Sequence, residues 1–399
     1  MARSRHDGRS ELPTGLVWVL ALACGAMAAN LYYAQTLIDE IGPQIGLDTS
    51  LAGLVTTLTQ LGYGIGLLLI VPLADLVENR RLALVACIGA GLGSLTIALS
   101  QNAATFLVAS IVTGLCSTGA QVLLPLASHL ARAERQGHVI GLVMSGLLGG
   151  IMLARPVASY TAHLFGWRAV FFGSAGLMLA IGIALFTACP RRQPEARMAY
   201  SALVASVFLQ LRKWHPLRMR AAYQGLLFAA FNLFWTAAPL LLIHRFSFSQ
   251  QGIALFALAA AGGALVAPYA GRLADRGFAW RSTLAALAVT AASFLAADWT
   301  VAAGSLLGFA VVAVVLDAAT QVNHVTGQRI IFALSQDARG RINSAYMTVM
   351  FLFGAFGSVI GSATYAAGGW HFAALTGVCL GSVALVLFLA FDSGASRTA

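Results

Sequence analysis

The chain has 399 residues, 59% of them hydrophobic and 10% charged, with a formal net charge of +10. An ordinary soluble domain carries about 25% charged residues, so this composition excludes a soluble globular enzyme and a disordered chain alike. Apolar residues gather in blocks of about twenty, the length a helix needs to cross ~30 Å of hydrocarbon, and they predict an all-α membrane protein.

Twelve such blocks follow in chain order: 14–38, 51–72, 82–100, 103–127, 138–161, 168–188, 219–243, 251–273, 281–297, 300–326, 343–366 and 370–391. The opening MARSRHDGRS and its apolar run superficially resemble a signal peptide. The run continues to Ile38 without a small-residue cleavage site at the usual distance, so an uncleaved first helix is expected. With the amino terminus cytoplasmic, the inner loops and tails hold 21 of the 24 Lys and Arg, all except Arg155, Arg168 and Arg245. That is the positive-inside bias of a multi-pass inner-membrane protein with both termini cytoplasmic. The basic charge is therefore topological, and no nucleic-acid partner is expected. The five cysteines are scattered in or beside apolar blocks; no pair has metal-ligand spacing, and neither a metal nor a disulfide is expected.

Short strings recur at a nearly constant offset of about 200 residues. NLYY at 30–33 returns as NLFW at 232–235, and LAD at 73–75 as LAD at 273–275. AQV at 120–122 returns as TQV at 320–322, and GWR at 166–168 as GWH at 369–371. The expected architecture is two pseudo-symmetric six-helix bundles, residues 1–188 and 219–399. A cytoplasmic linker over 189–218 joins them; its AYSALVASVFLQL stretch suits a short amphipathic helix on the inner leaflet. Two such repeats with a midplane site between them is an arrangement of secondary transporters.

PLADLVENRR (72–81) resembles the signature loop after the second helix of the major facilitator superfamily; Leu73, Asp75, Arg80 and Arg81 match it. The second copy, GRLADRG (271–277), keeps Gly271, Asp275 and Gly277. GIMLARP (150–156) resembles the fifth-helix motif of the drug:proton antiporter branch, with Ala154 and Arg155 replacing part of the pattern. NLYYAQ and LARP are most similar to the group of purine-ribonucleoside and sugar efflux pumps. The resemblance implies twelve helices in the major facilitator fold, alternating access and export. It also implies a conformational latch at Asp75, Arg80, Arg81, Asp275 and Arg276, the bland alternative being solvated loop charges.

Two charges lie at membrane depth. A charge at a helix centre costs about 2.5–3.5 kcal/mol even on the lenient insertion scale and normally faces a partner or water. Arg155 either holds an anionic or carbonyl-bearing substrate or is tied to helix-end carbonyls where the halves meet. Asp317 sits in the tenth block, which the resemblance places at the cavity. Desolvation disfavours the ionised form of a lone buried acid, which lets it load and release protons near neutral pH; a structural contact and a pair with Arg155 are the alternatives. His324 is a second candidate for proton relay, or else a surface residue.

A polar and aromatic set surrounds them: Asn30, Tyr32, Tyr33 and Gln35 in the first block, Gln121 in the fourth, Phe231, Asn232, Phe234 and Trp235 in the seventh, and Gln321 and Asn323 in the tenth. Either they line a substrate pocket or they serve as interhelical glue. The glycine-rich strings GYGIGL and GAGLGS join no strand to a helix, and Lys213 is the chain's only lysine, so no phosphate loop can be built. No catalytic pair is visible; the protein is expected not to be an enzyme and to need no cofactor. The sequence thus predicts a monomeric secondary transporter whose partners are a small-molecule substrate, protons and membrane lipid, working as a proton-coupled exporter. An importer, symporter or facilitator of the same fold is the first alternative, and a non-transporting sensor or scaffold the second.

Overall fold

A computed structural model describes residues 13–132, 135–191, 199–335 and 338–392. The basic amino-terminal segment, Arg192 and Arg197 of the linker, and the last seven positions lie outside the described residues. The helices are α1 (Thr14–Ala29), α2 (Ile38–Ile45), α3 (Leu54–Leu69), α4 (Asn79–Leu99), α5 (Ala103–Ser117), α6 (Gly119–Leu130), α7 (Gln136–Phe165) and α8 (Trp167–Ala188). The remainder are α9 (Tyr200–Lys213), α10 (His215–Phe246), α11 (Gln250–Ala261), α12 (Ala267–Asp275), α13 (Ala279–Ala302), α14 (Leu306–Phe332) and α15 (Arg339–Phe391). Among the described residues there is no strand.

Among the described residues, ten segments are long and apolar enough to cross a membrane, and α1 adds a shorter apolar helix. The last segment, 53 residues long, is two helices joined at Gly368 and Gly369, which brings the crossings to twelve. Gly369 has φ +65° and Gly166, between α7 and α8, has φ +79°. Left-handed backbone of this kind costs an L side chain 1–2 kcal/mol and glycine almost nothing. The repeated GW string therefore has a local cause: each glycine turns the chain between the last two crossings of a half. The tryptophan that follows is buried, Trp167 against Phe106 and Phe171, Trp370 against Phe234 and Phe309.

The first block is not one uninterrupted helix. It breaks after Ala29, passes through a 3-10 turn at Tyr33–Thr36 and resumes as α2. The eighth crossing is likewise interrupted, by a 3-10 turn at Gly262–Val266 between α11 and α12. There the chain runs so close to α14 that a Cβ on Gly263 would lie 2.8 Å from the Cβ of Asp317. Mid-membrane interruptions of this kind are where transporters build their sites, because freed backbone is tolerated only where protein or a cavity meets it.

Close packing is set by small residues. A Cβ on Gly150 of α7 would overlap the backbone of Gly25 on α1, so the fifth-helix glycines let those two helices touch. The two halves meet along α3 against α15 and α7 against α11. The linker helix α9 forms as expected, but its Leu203, Ser206 and Val207 face is buried against the protein. Tyr200 Oη donates to the Leu69 carbonyl at 2.8 Å. We refer to this side of the molecule as the linker face and to the opposite side as the distal face.

Candidate substrate site

The interruption of the first helix aims its side chains at the seam between the halves. Tyr32 and Gln35 lie in or beside the 3-10 turn; both are buried. Arg155, on α7 one residue before Pro156, is 5% exposed and does not reach lipid or open water. Its Nε donates to Gln35 Oε1 at 2.9 Å. Its guanidinium carbon stands 4.3 Å from the ring centre of Trp235, 4.9 Å from Tyr32 and 5.0 Å from Phe231. Three ring faces supply negative quadrupole where a carboxylate is missing, each contributing about 0.5–2 kcal/mol when desolvated. One terminal nitrogen, Nη2, is buried with no hydrogen-bond partner.

Asp317 on α14 stands beside this cage. Trp235 Nε1 donates to Asp317 Oδ1 at 3.0 Å. Arg155 and Asp317 make no direct salt bridge, so the expected alternative of a pair is corrected: the indole of Trp235 contacts both, its face on the cation and its N–H on the anion. Arg155 is not tied to helix-end carbonyls either, since its described hydrogen bond goes to a side-chain amide.

Below the cage lies a node of three amides. Asn232 Oδ1 accepts from Gln35 Nε2 at 3.0 Å and from Gln60 Nε2 at 2.5 Å, and its own Nδ2 donates to the Phe228 carbonyl at 2.8 Å. All three amide side chains are fully buried. Gln35 and Gln60 belong to the first half and Asn232 to the second, so the node ties the halves together. From there to the distal face further links continue. Thr57 Oγ1 donates to the Ala355 carbonyl at 2.9 Å, Ser362 Oγ to the Ser50 carbonyl at 3.0 Å, and His244 meets Asp39 at 3.3 Å.

Other expected residues fall elsewhere. Tyr33 is half-buried against the same core, and Gln121 donates to Tyr63 Oη at 3.2 Å, with Tyr63 packed on Phe351 across the seam. Asn30 is a correction: it faces into its own half, where Nδ2 donates to Ser117 Oγ and Oδ1 accepts from Ser174 Oγ. It is interhelical glue, because the chain rotates between Ala29 and Tyr33 and carries Asn30 away from the seam. Asn323 is another correction, donating to Gln224 at 2.7 Å within the second half. Phe234 stacks with Phe309 in that half's core. Gln321 is half-buried outside the cage. His324 is not a surface residue: its ring stacks on Tyr346 and its Nδ1 is buried and unpartnered. Seven residues past Asp317, it lies ~10 Å farther along the helix and does not touch the cage.

The loop charges also pair differently from expectation. Arg81 binds Glu78 at 2.9 Å, and Arg80 lies over Phe186 while donating to the Cys189 carbonyl. Asp75 is exposed and is the partner of neither. Asp275 pairs with Arg329 at 2.7 Å instead of with Arg276, which is exposed. The second loop turns through Gly277 at φ +83°, whereas the first has no left-handed residue.

Sequence reading missed Gln60 and Tyr63. Both lie in LTQLGYG of the second block, where an amide and a phenol three residues apart on one helical face were the available signal.

A break in the first helix, a seam between two halves and a charged mid-membrane cage are features of a transporter. The Major Facilitator Superfamily family model matches residues 18–316 and 221–398. The chain belongs to the Major Facilitator Superfamily. It is 40% identical over 390 residues to "Putative uncharacterized transporter YgaY" of Escherichia coli (strain K12), covering 97% of each chain. It is 29% identical to "Probable transporter SCO4007" of Streptomyces coelicolor, covering 90% of this chain and 83% of that one. Among solved structures, a bacterial homolog of the human lysosomal transporter Spinster, inward-facing and occupied, superposes with a TM-score of 0.74. It is 14% identical and covers 97% of this chain and 98% of that one. This superfamily chain is thus a multi-pass membrane transporter of small molecules and not an enzyme.

Proposed function

We propose that the protein is a proton-coupled exporter of a small organic solute, working as a monomer in the inner membrane with both termini and the linker face cytoplasmic. The observation that carries this reading is the pair of buried opposite charges, Arg155 and Asp317, held at the seam without neutralising each other. Asp317 carries the proton, and Arg155 with Tyr32, Gln35, Phe231 and Trp235 receives the solute. Tyr33, Gln121 and Asn232 complete the wall. The antiporter-like GIMLARP run and the NLYYAQ string favour export and the efflux-pump group over uptake. The links at Asn232, Ala355, Ser362 and Asp39 hold the distal face shut, and rocking must break them. On the linker face, Arg329 with Asp275 and Arg81 with Glu78 are the contacts available to act as a latch.

The test begins with a thermal-shift screen of the purified protein against metabolites, followed by proteoliposomes under an imposed pH gradient. Antiport requires the solute and protons to move oppositely. Asp317→Asn is expected to abolish pH-driven exchange; undiminished exchange in that variant would remove Asp317 from the mechanism.

A further inference from the structure

The cage carries unmet hydrogen-bonding capacity of both kinds. Arg155 Nη2 is a buried donor without an acceptor, and Gln60 Oε1, on the neighbouring amide node, is a buried acceptor without a donor. Asp317 has Trp235 Nε1 on Oδ1 as its hydrogen bond from the cage. Leaving a buried polar group unpaired costs about 1–3 kcal/mol, more for a charged one, so a structure that tolerates two on linked side chains is arranged for something that supplies the partners.

The charges decide what that is. A simple anion drawn to Arg155 meets the carboxylate of Asp317 at the N–H edge of Trp235, and a simple cation drawn to Asp317 meets the guanidinium. A direct Arg155–Asp317 contact would cancel both fields and leave a site for neutral solutes. That contact is not made; the indole meets each group separately, lying against the guanidinium with its face and donating its N–H to the carboxylate. Two opposite charges kept apart at one buried seam match a ligand that carries its own two charges in the reverse sense.

We propose that the substrate is a small zwitterion of the amino-acid type, its carboxylate accepting from Arg155 Nη2 and its ammonium donating to Asp317. This deepens the proposed function and rests on Asp317 being the proton site. The ammonium and the proton then compete for one carboxylate, which is the relation an exchanger needs. A purely anionic substrate would be favoured by protonation of Asp317 and would travel with the proton instead.

The probes are the standard amino acids, each tested with its N-acetyl form, which keeps only the negative charge, and its amide, which keeps only the positive one. Binding is measured by titration calorimetry on the full-length purified protein. At least one parent amino acid is expected to bind, with each blocked form weaker by about tenfold or more, the loss of one charge-assisted hydrogen bond. Lowering the pH should weaken the parent, and Asp317→Asn should remove both that dependence and the advantage over the N-acetyl form. The comparison of parent with blocked forms needs no variant, so it stands even where Arg155→Met fails to fold. Binding by no amino acid, or a blocked form that binds as well as its parent, overturns the zwitterion. Loss of pH-driven exchange in Asp317→Asn alongside such a result would leave the proton site standing and reject the substrate class alone.

Discussion

Replacing Asn232 with leucine should loosen the distal seal by an amount that follows from the amide node. The substitution keeps the branched outline of the side chain, at a larger volume, and removes the oxygen that accepts from both Gln35 and Gln60, at 3.0 and 2.5 Å. Interhelical hydrogen bonds in membranes average ~0.6 kcal/mol, because the alternative state also finds partners. A donor left buried and unpaired costs about 1–3 kcal/mol. Gln35 and Gln60 are fully buried in the sealed state and reach water when the halves part, so a value between these limits applies. At ~1 kcal/mol for each bond, the sealed state loses ~2 kcal/mol relative to the distal-open state, a population shift of roughly thirtyfold. Gln60→Met removes one donor and leaves Asn232 with the other, so it should shift the balance by roughly fivefold. The assay is the rate at which a short bifunctional thiol reagent joins Ser50→Cys to Ser362→Cys, in a protein whose native cysteines are replaced by serine. An unchanged rate in Asn232→Leu, or a larger effect from Gln60→Met alone, would refute the node as the element that holds the distal face.

Two further outcomes test packing. Gly150→Ala should lower the thermal stability of the detergent-solubilised protein by about 1–3 kcal/mol, since the added Cβ meets the Gly25 backbone. Gly149→Ala, where nothing lies within 4 Å of the added atom, should be neutral or slightly stabilising; equal losses at both positions would contradict the helix contact. Asp392→Ala should cost ~2 kcal/mol by the same measure. It leaves Arg220, with a side chain 7% exposed, without its 2.6 Å carboxylate partner, and the figure sits below the 3–5 kcal/mol of a fully buried pair because Asp392 is 22% exposed. An unchanged melting temperature would show that the end of α15 is not anchored through that pair.

What was legible in the sequence was whatever follows from hydropathy and from backbone geometry repeated twice. Block length gave the crossings, and the recurring GW string marks two turns that share one left-handed glycine conformation. Side-chain direction was not legible, because it depends on the twist of an interrupted helix. Asn30 and Asn232 occupy equivalent places in the repeat, yet the first helix breaks just at Asn30 while α10 runs unbroken through Asn232. One amide therefore turns inward to Ser117 and Ser174 and the other lies on the seam. Likewise the loop resemblance found Asp275 but not its partner, because Arg329 lies on α14 and only tertiary packing brings it to the loop. Hydropathy placed both Arg155 and Asp317 at membrane depth; it could not supply the indole that contacts each of them.

That indole explains why the two charges need not be a pair. A buried salt bridge gains little net stability, because desolvation offsets the Coulomb term, and once formed it would occupy both groups. Trp235 gives each charge a separate partial compensation, ring face to the cation and N–H to the anion. The repeat sharpens the contrast, for Tyr33 stands where the second half has Trp235, and Ser117 where it has Asp317. The first half uses its serine as a structural contact to Asn30, and it supplies Arg155 from a different helix. The site is thus asymmetric although the scaffold is duplicated: the anion and the bridging ring come from one half and the cation from the other. Any rocking of the halves must then change the distance between guanidinium and indole, and in this way movement of the scaffold acts directly on the field that Asp317 feels.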